Sequence, residues 1–100
     1  MERRHVRIEY RIREDVDLDA YLRLATEFVG NIRALRATNH YTVYRSAKEP
    51  RHFVHVGHFD ADAVPVLQAQ PWFQAFTARQ RELTVAPPDA VVLAEVASTT

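Results

Sequence analysis

Apolar and charged residues alternate from Val6 to Ile12. Val6, Ile8, Tyr10 and Ile12 fall on one side, and Arg7, Glu9, Arg11 and Arg13 on the other. A period of two predicts a β-strand with one apolar face. The acidic turn REDVD follows. It places Asp17 to cap a helix and Asp19 in the first turn, where the positive end of the helix dipole favours an acid. Leu18, Tyr21, Leu22, Ala25, Phe28, Val29, Ile32 and Leu35 then recur at steps of three and four. That spacing predicts an amphipathic helix of about five turns. Gly30 inside it lowers the helix propensity; close packing is one reason for a helix to keep such a glycine.

A second strand is predicted from Asn39 to Arg45, rich in Tyr, Thr and Val. The loop SAKEPR makes a hairpin to a third strand, His52 to Phe59. Asp60 or Asp62 is placed to cap a short helix whose first turn takes Pro65. Pro71 interrupts that helix, and a new amphipathic run carries Trp72, Phe73, Phe76, Gln80 and Leu83 on one side. TVAPPDA is a linker, Val91 to Val96 a last strand, and ASTT a fraying end.

Strand, helix, strand, strand, helix, strand is the split βαβ order. It predicts an α+β chain, a ferredoxin-like βαββαβ sandwich with two helical regions on one face of a four-stranded antiparallel sheet. The third strand is apolar on both sides, Phe53 and Phe59 against Val54 and Val56. The last strand is too, Val91 and Leu93 against Val92, Ala94 and Val96. Such strands call for burial on both faces, and two helical regions cover only one. A homodimer with sheets packed face to face supplies the second cover. Arg7, Glu9 and Arg11 then lie in or around that interface. Glu9 is expected to pair with an arginine, within the chain or across the dimer.

Composition narrows the function. One hundred residues make one domain, 1–100, with a modest core. Thirteen basic and thirteen acidic side chains cancel. That argues against a general nucleic-acid binder, which needs Lys and Arg in excess. There is no cysteine, hence no disulfide, thiolate metal site or thiol nucleophile. Cytoplasmic localisation is expected, because the lack of cysteine fits a reducing compartment and MERRHVRIEY lacks a signal-peptide core. No apolar run reaches the ~20 residues of a membrane span.

HFVHVGHF holds His52, His55 and His58. On a strand His52 and His58 share one face and His55 takes the other. Six residues of strand separate His52 from His58 by about 20 Å. No metal site is expected, since ligand number and spacing both fail. A histidine that titrates near neutral pH can instead serve as a base. His55 and His58 are the candidate bases, and Tyr44 the candidate hydrogen-bond donor. Tyr10, His40, Trp72 and Phe76 are the candidates for binding a substrate, with Trp72 nearest the rim of a pocket between helices and sheet. A glycine-rich phosphate loop, a G-x-S-x-G elbow and an H-E-x-x-H motif are absent from the sequence.

Glu9 and Arg11 in an opening strand, then YTVYR, RHFVHVGHFDADAV and AQPWFQAF, together resemble the antibiotic biosynthesis monooxygenase (ABM) domain. The resemblance runs from about Val6 to Val96. It implies a dimeric α/β barrel, and a pocket between sheet and helices in each subunit. Members include cofactor-independent oxygenases of polycyclic phenols or quinols, and haem-degrading enzymes. The haem-degrading pattern has an Asn on the first strand and a Trp and a His in the second helical region. Ile8, Leu67 or Gln68, and Thr77 to Arg79 stand there instead. The His that precedes a Ser-Pro in many quinol-type members falls near Leu67. The resemblance therefore implies an oxygenase without a cofactor, acting on a small aromatic ligand, and transfers no catalytic residue. The alternative is a non-catalytic dimer that binds a small apolar ligand.

Overall fold

The computed structural model describes residues 3–35 and 40–99. Its elements are β1 (Arg3–Arg11), α1 (Leu18–Leu35), β2 (His40–Arg45), β3 (His52–Asp60), α2 (Ala63–Gln68), α3 (Pro71–Leu83) and β4 (Asp89–Leu93). The four strands form one antiparallel sheet in the order β2-β3-β1-β4. This is the predicted ferredoxin-like order, with the second helical region split in two.

The β1–β3 register fixes both faces. Val6, Ile8 and Tyr10 lie opposite Gly57, His55 and Phe53, and Arg7 and Glu9 lie opposite Val56 and Val54. On β3 the residues Phe53, His55, Gly57 and Phe59 are buried while their neighbours are half-buried. The buried face is the one the helices cover. α1 meets it with Tyr21, Ala25, Phe28 and Ile32, a stripe at three- and four-residue steps. Leu67 of α2 and Phe76 of α3 complete the same core. Burying a side chain of this size contributes roughly 1.5–3 kcal/mol. Gly57 is required by this packing, because a Cβ there would come within 2.7 Å of the Phe59 ring and 3.1 Å of Tyr41.

Local signals explain the ends. The Asp17 carboxylate accepts from the backbone N–H of Asp19 at 3.0 Å and of Ala20 at 3.3 Å, satisfying helix-end donors. Ser46 Oγ accepts from the N–H groups of Lys48 and Glu49, each at 3.2 Å, and closes the hairpin. Pro71 opens α3 at a position where no N–H is needed. Asp62 holds the cap position of α2 without a side-chain hydrogen bond, and Asp60 belongs to β3.

Several bounds differ from the sequence reading. β1 begins at Arg3 rather than Val6, and Ile12 makes only a single bridge, to Thr84. Asn39, expected in β2, lies outside the described residues. β4 runs from Asp89 to Leu93 instead of Val91 to Val96, and Val96 is 98% exposed. The cause is pairing. In the register that sets Leu93 opposite His5, Val96 would fall beyond Arg3, the first residue of β1. Glu9 does pair with an arginine, Arg7 of its own strand at 2.5 Å, and His52 Nε2 approaches its other oxygen at 2.6 Å.

Candidate functional site

Polar side chains gather inside the apolar core. His55 stands at the centre of the helix-covered face, 1% exposed. Tyr10 pairs with Phe53 and Tyr41 with Gly57. The two tyrosines are therefore diagonal neighbours of His55 on either side, within reach of long side chains. The Tyr10 hydroxyl lies 2.6 Å from His55 Nε2, and the Tyr41 hydroxyl 2.7 Å from Nδ1. Tyr21, reaching down from α1, shares a short hydrogen bond with the Tyr10 hydroxyl. Four side chains from three strands and one helix thus form one chain, Tyr21–Tyr10–His55–Tyr41.

Burial sets its charge state. Desolvation pushes the His55 imidazole down to about 4, so the ring is neutral at neutral pH. Burial likewise raises Tyr10, Tyr21 and Tyr41 above the ordinary phenol value, with the Tyr21 neighbour adding to the rise at Tyr10 and Tyr41. A neutral imidazole has one N–H and one bare nitrogen. One tyrosine therefore donates to His55 and the other accepts from it. Such a chain passes a proton by exchanging tautomers, without building an imidazolium in the core. The buried Gln80 amide sits near its Tyr10–Tyr21 end and draws both phenols downward, against burial. Its Nε2 finds no hydrogen-bond partner among the described residues.

Both ends of the chain reach clefts. Tyr41 lines a groove of about 590 Å³ between α1 and the edge strand β2, with Val29, Gly30, Val43 and Phe53 on its walls and Arg33 and Arg45 among its polar residues. Tyr21 lines a second cleft, of about 570 Å³, whose other residues include Arg13, Asp15, Asp17, Arg79 and Glu82.

The candidates from sequence divide. His55, Tyr10 and Phe76 come together: Phe76 is buried with its ring centroid 6.3 Å from that of His55. His58, His40 and Tyr44 do not, because strand alternation puts them on the sheet face away from the helices. There His58 stands between His5 and His40, with ring centroids at 4.4 and 6.0 Å. Tyr44 is 56% exposed and, although off the His55 chain, is among the residues lining the α1/β2 groove. Trp72 is half-buried against Phe28 and lines a cleft of about 400 Å³ between α1 and α3, apart from the chain. Among the described residues no group of three His, Cys, Asp or Glu side chains is placed to hold a metal ion.

Tyr41 and Gln80 were not among the sequence candidates. Tyr41 carries the same strand parity as Val43, which would have aligned it with His55 once the hairpin register was fixed. Gln80 is the polar residue on the apolar stripe of α3.

No family model matches the sequence, and no curated protein does. Solved structures do match in fold. A crystal structure of an antibiotic biosynthesis monooxygenase superposes with a TM-score of 0.84 at 21% identity, over 94% of this chain and 99% of that one. Rv0793 from Mycobacterium tuberculosis gives 0.83 at 22% identity, over 99% of this chain and all of its own, 100%. SnoaB, a cofactor-independent oxygenase from Streptomyces nogalater, gives 0.83 at 12% identity in its N63A mutant, over 99% and 98%. The ABM-like fold inferred from sequence is the fold observed. No described helix is long and apolar enough to cross a membrane.

Proposed function

We propose that this chain, which has the fold of antibiotic biosynthesis monooxygenases, is a cofactor-independent monooxygenase of a phenolic or quinol-like aromatic compound, working as a homodimer. The observation that carries the reading is the buried chain Tyr21–Tyr10–His55–Tyr41. An electron-rich phenolate can itself reduce oxygen, so the protein need only bind the phenol, take its proton and exclude water.

The substrate hydroxyl meets Tyr41 in the α1/β2 groove. Tyr41 passes its proton to Nδ1 of His55 and takes the substrate's. His55 releases its Nε2 proton to Tyr10, Tyr10 hands its own to Tyr21, and Tyr21 releases its own to water in the charged cleft that it lines. The phenolate carbanion then reduces oxygen. In the net reaction a ring CH2 of the keto tautomer becomes C=O, one oxygen atom is retained and the other leaves as water. Substrate carbon loses the four electrons that oxygen gains, so no external reductant is needed.

The test is oxygen uptake by the purified chain with two- and three-ring hydroquinones and phenols, with product mass read for added oxygen from labelled O2. Turnover is expected in the untreated protein and a loss of at least a hundredfold in His55→Phe. Equal rates with and without protein across the panel reject the oxygenase reading and favour the alternative, a dimer that binds an apolar ligand without chemistry.

A further inference from the structure

Gly30 breaks a local rule. It lies within α1, where glycine is among the least favourable residues. Close packing would explain it, but a Cβ added there meets no atom within 4 Å. The space above Gly30 is the groove between α1 and β2. Its volume, about 590 Å³, lies within the usual range of small-molecule sites. Ala25, Val29, Val43 and Phe53 make most of its bed apolar.

Two cations line the same groove, Arg33 and Arg45. Neither belongs to an ion pair among the described residues, like Arg4, Arg23 and Arg81 and unlike Arg7, Arg11, Arg13, Arg51 and Arg79. Their placement follows from topology. β1 and β2 are both antiparallel to β3, so they run the same way, and α1 between them runs back. The end of α1, with Arg33, therefore lies near the start of β2, with Tyr41. The start of α1, with Leu22, lies near the end of β2, with Arg45. Four residues of strand, about 13 Å, separate Tyr41 from Arg45. One end of the groove thus offers a hydroxyl wired to His55 with a cation nearby. The other end offers the Arg45 guanidinium, which has no ion-pair partner among the described residues and is a good partner for a carboxylate.

We propose that the α1/β2 groove binds a flat, elongated aromatic acid, its phenol at the Tyr41 end and its carboxylate at Arg45, with Gly30 kept small so that the ring system can lie against α1. This deepens the reading above by naming the substrate class, and it rests on that reading for turnover but not for binding.

Calorimetry with three probes tests it: 6-hydroxy-2-naphthoic acid, 2-naphthol and 2-naphthoic acid. The hydroxy acid should bind at least tenfold more tightly than 2-naphthol. Arg45→Gln should erase that preference and leave 2-naphthol binding as it was. Gly30→Leu should fill the groove and abolish binding of all three, while its melting temperature stays level or rises, since leucine favours helix and a Cβ at this position meets no atom within 4 Å. Equal affinity for the acid and for naphthol overturns the proposal, and so does unchanged binding in Gly30→Leu or no binding of any probe. A Gly30→Leu variant that alters sedimentation and not probe binding marks the groove as a contact between copies, and overturns it too. Binding as described with no oxygen uptake on any substrate keeps the site and removes the oxygenase reading. Oxygen uptake on uncharged phenols with no carboxylate preference does the reverse.

Discussion

His55 Nδ1 lies 2.7 Å from the hydroxyl of Tyr41, and this bond links a buried base to the wall of an open groove. A buried imidazole at about 4 binds its proton later than the same group in the unfolded chain, at about 6.5. The folded-state value is depressed, so its stabilising contribution is complete above about pH 6.5 and is lost as pH falls toward 4. The full loss is on the order of 3 kcal/mol, at about 1.4 kcal/mol per unit. Urea unfolding between pH 7 and pH 5 is expected to show a decline in the parent chain and a nearly flat profile in His55→Phe. Glu9, held below its usual range by Arg7 and His52, titrates lower and leaves this window clear. Parallel profiles for the two proteins would contradict the burial of a neutral His55.

Tyr41→Phe keeps the ring and deletes one hydroxyl. Nδ1 of His55 then loses its partner in a site shut off from water, and leaving such a group unsatisfied costs ~1–3 kcal/mol. If Tyr41 also delivers the substrate proton, oxygen uptake should drop by at least tenfold, beyond what the stability loss explains at a temperature where the variant is folded. Tyr44→Phe, at a second tyrosine of the groove lining but without a hydrogen bond to His55, should leave stability unchanged and lower oxygen uptake far less than Tyr41→Phe does. Activity that tracks Tyr44 instead of Tyr41 would contradict proton delivery through Tyr41 and His55.

The fold was legible because its signals are local. Period two on β1, three- and four-residue steps on α1, and Pro71 at a helix start each act within a few residues. The site was legible only in part. His55 was among the candidates, but His58 looked equally good, since parity within one strand does not say which face the helices cover. Tyr41 escaped because its value comes from register with β3, a relationship between residues sixteen apart such as Tyr41 and Gly57. Strand alternation needed one anchor, and the burial of Phe53 and Phe59 supplies it. Gly30 was seen as a cost, and its setting, open space rather than close packing, needed three dimensions.

Trp72 and Phe76 sit one turn apart on α3 and should behave differently. Phe76 is buried and stacks on Phe28 with ring centroids 3.9 Å apart, whereas Trp72 is half-buried at a cleft. Truncating a core aromatic costs ~3–5 kcal/mol through lost burial and the cavity left behind. Phe76→Ala is expected in that range and Trp72→Ala at about half of it or less, measured by urea denaturation. If the α1/α3 cleft is where an aromatic ligand binds, Trp72→Ala will weaken the naphthoic acid probe; the groove assignment expects no change. A Trp72→Ala loss as large as that of Phe76→Ala would make Trp72 a core residue.

The sheet face away from the helices carries the last prediction. Val54 and Val56 on β3 are half-buried there, and Leu93 on β4 is 43% exposed. Around them stand His52, Arg7 and Glu9, already paired among themselves within one chain. Charges satisfied in place are less costly to cover than free ones, because their partners move with them. A net charge of zero adds no long-range repulsion. A second copy laid face to face is thus expected, with a sedimenting mass twice that of the chain at micromolar concentration. Val56→Asp sets an unpaired carboxylate in the middle of that face and should return the mass of a single chain. Val85→Asp, at an exposed valine outside the sheet, should leave the dimer whole. A parent protein that sediments as one chain, or a Val56→Asp variant that still pairs, would mean that this face meets water, and that β3 carries its valines for strand propensity alone.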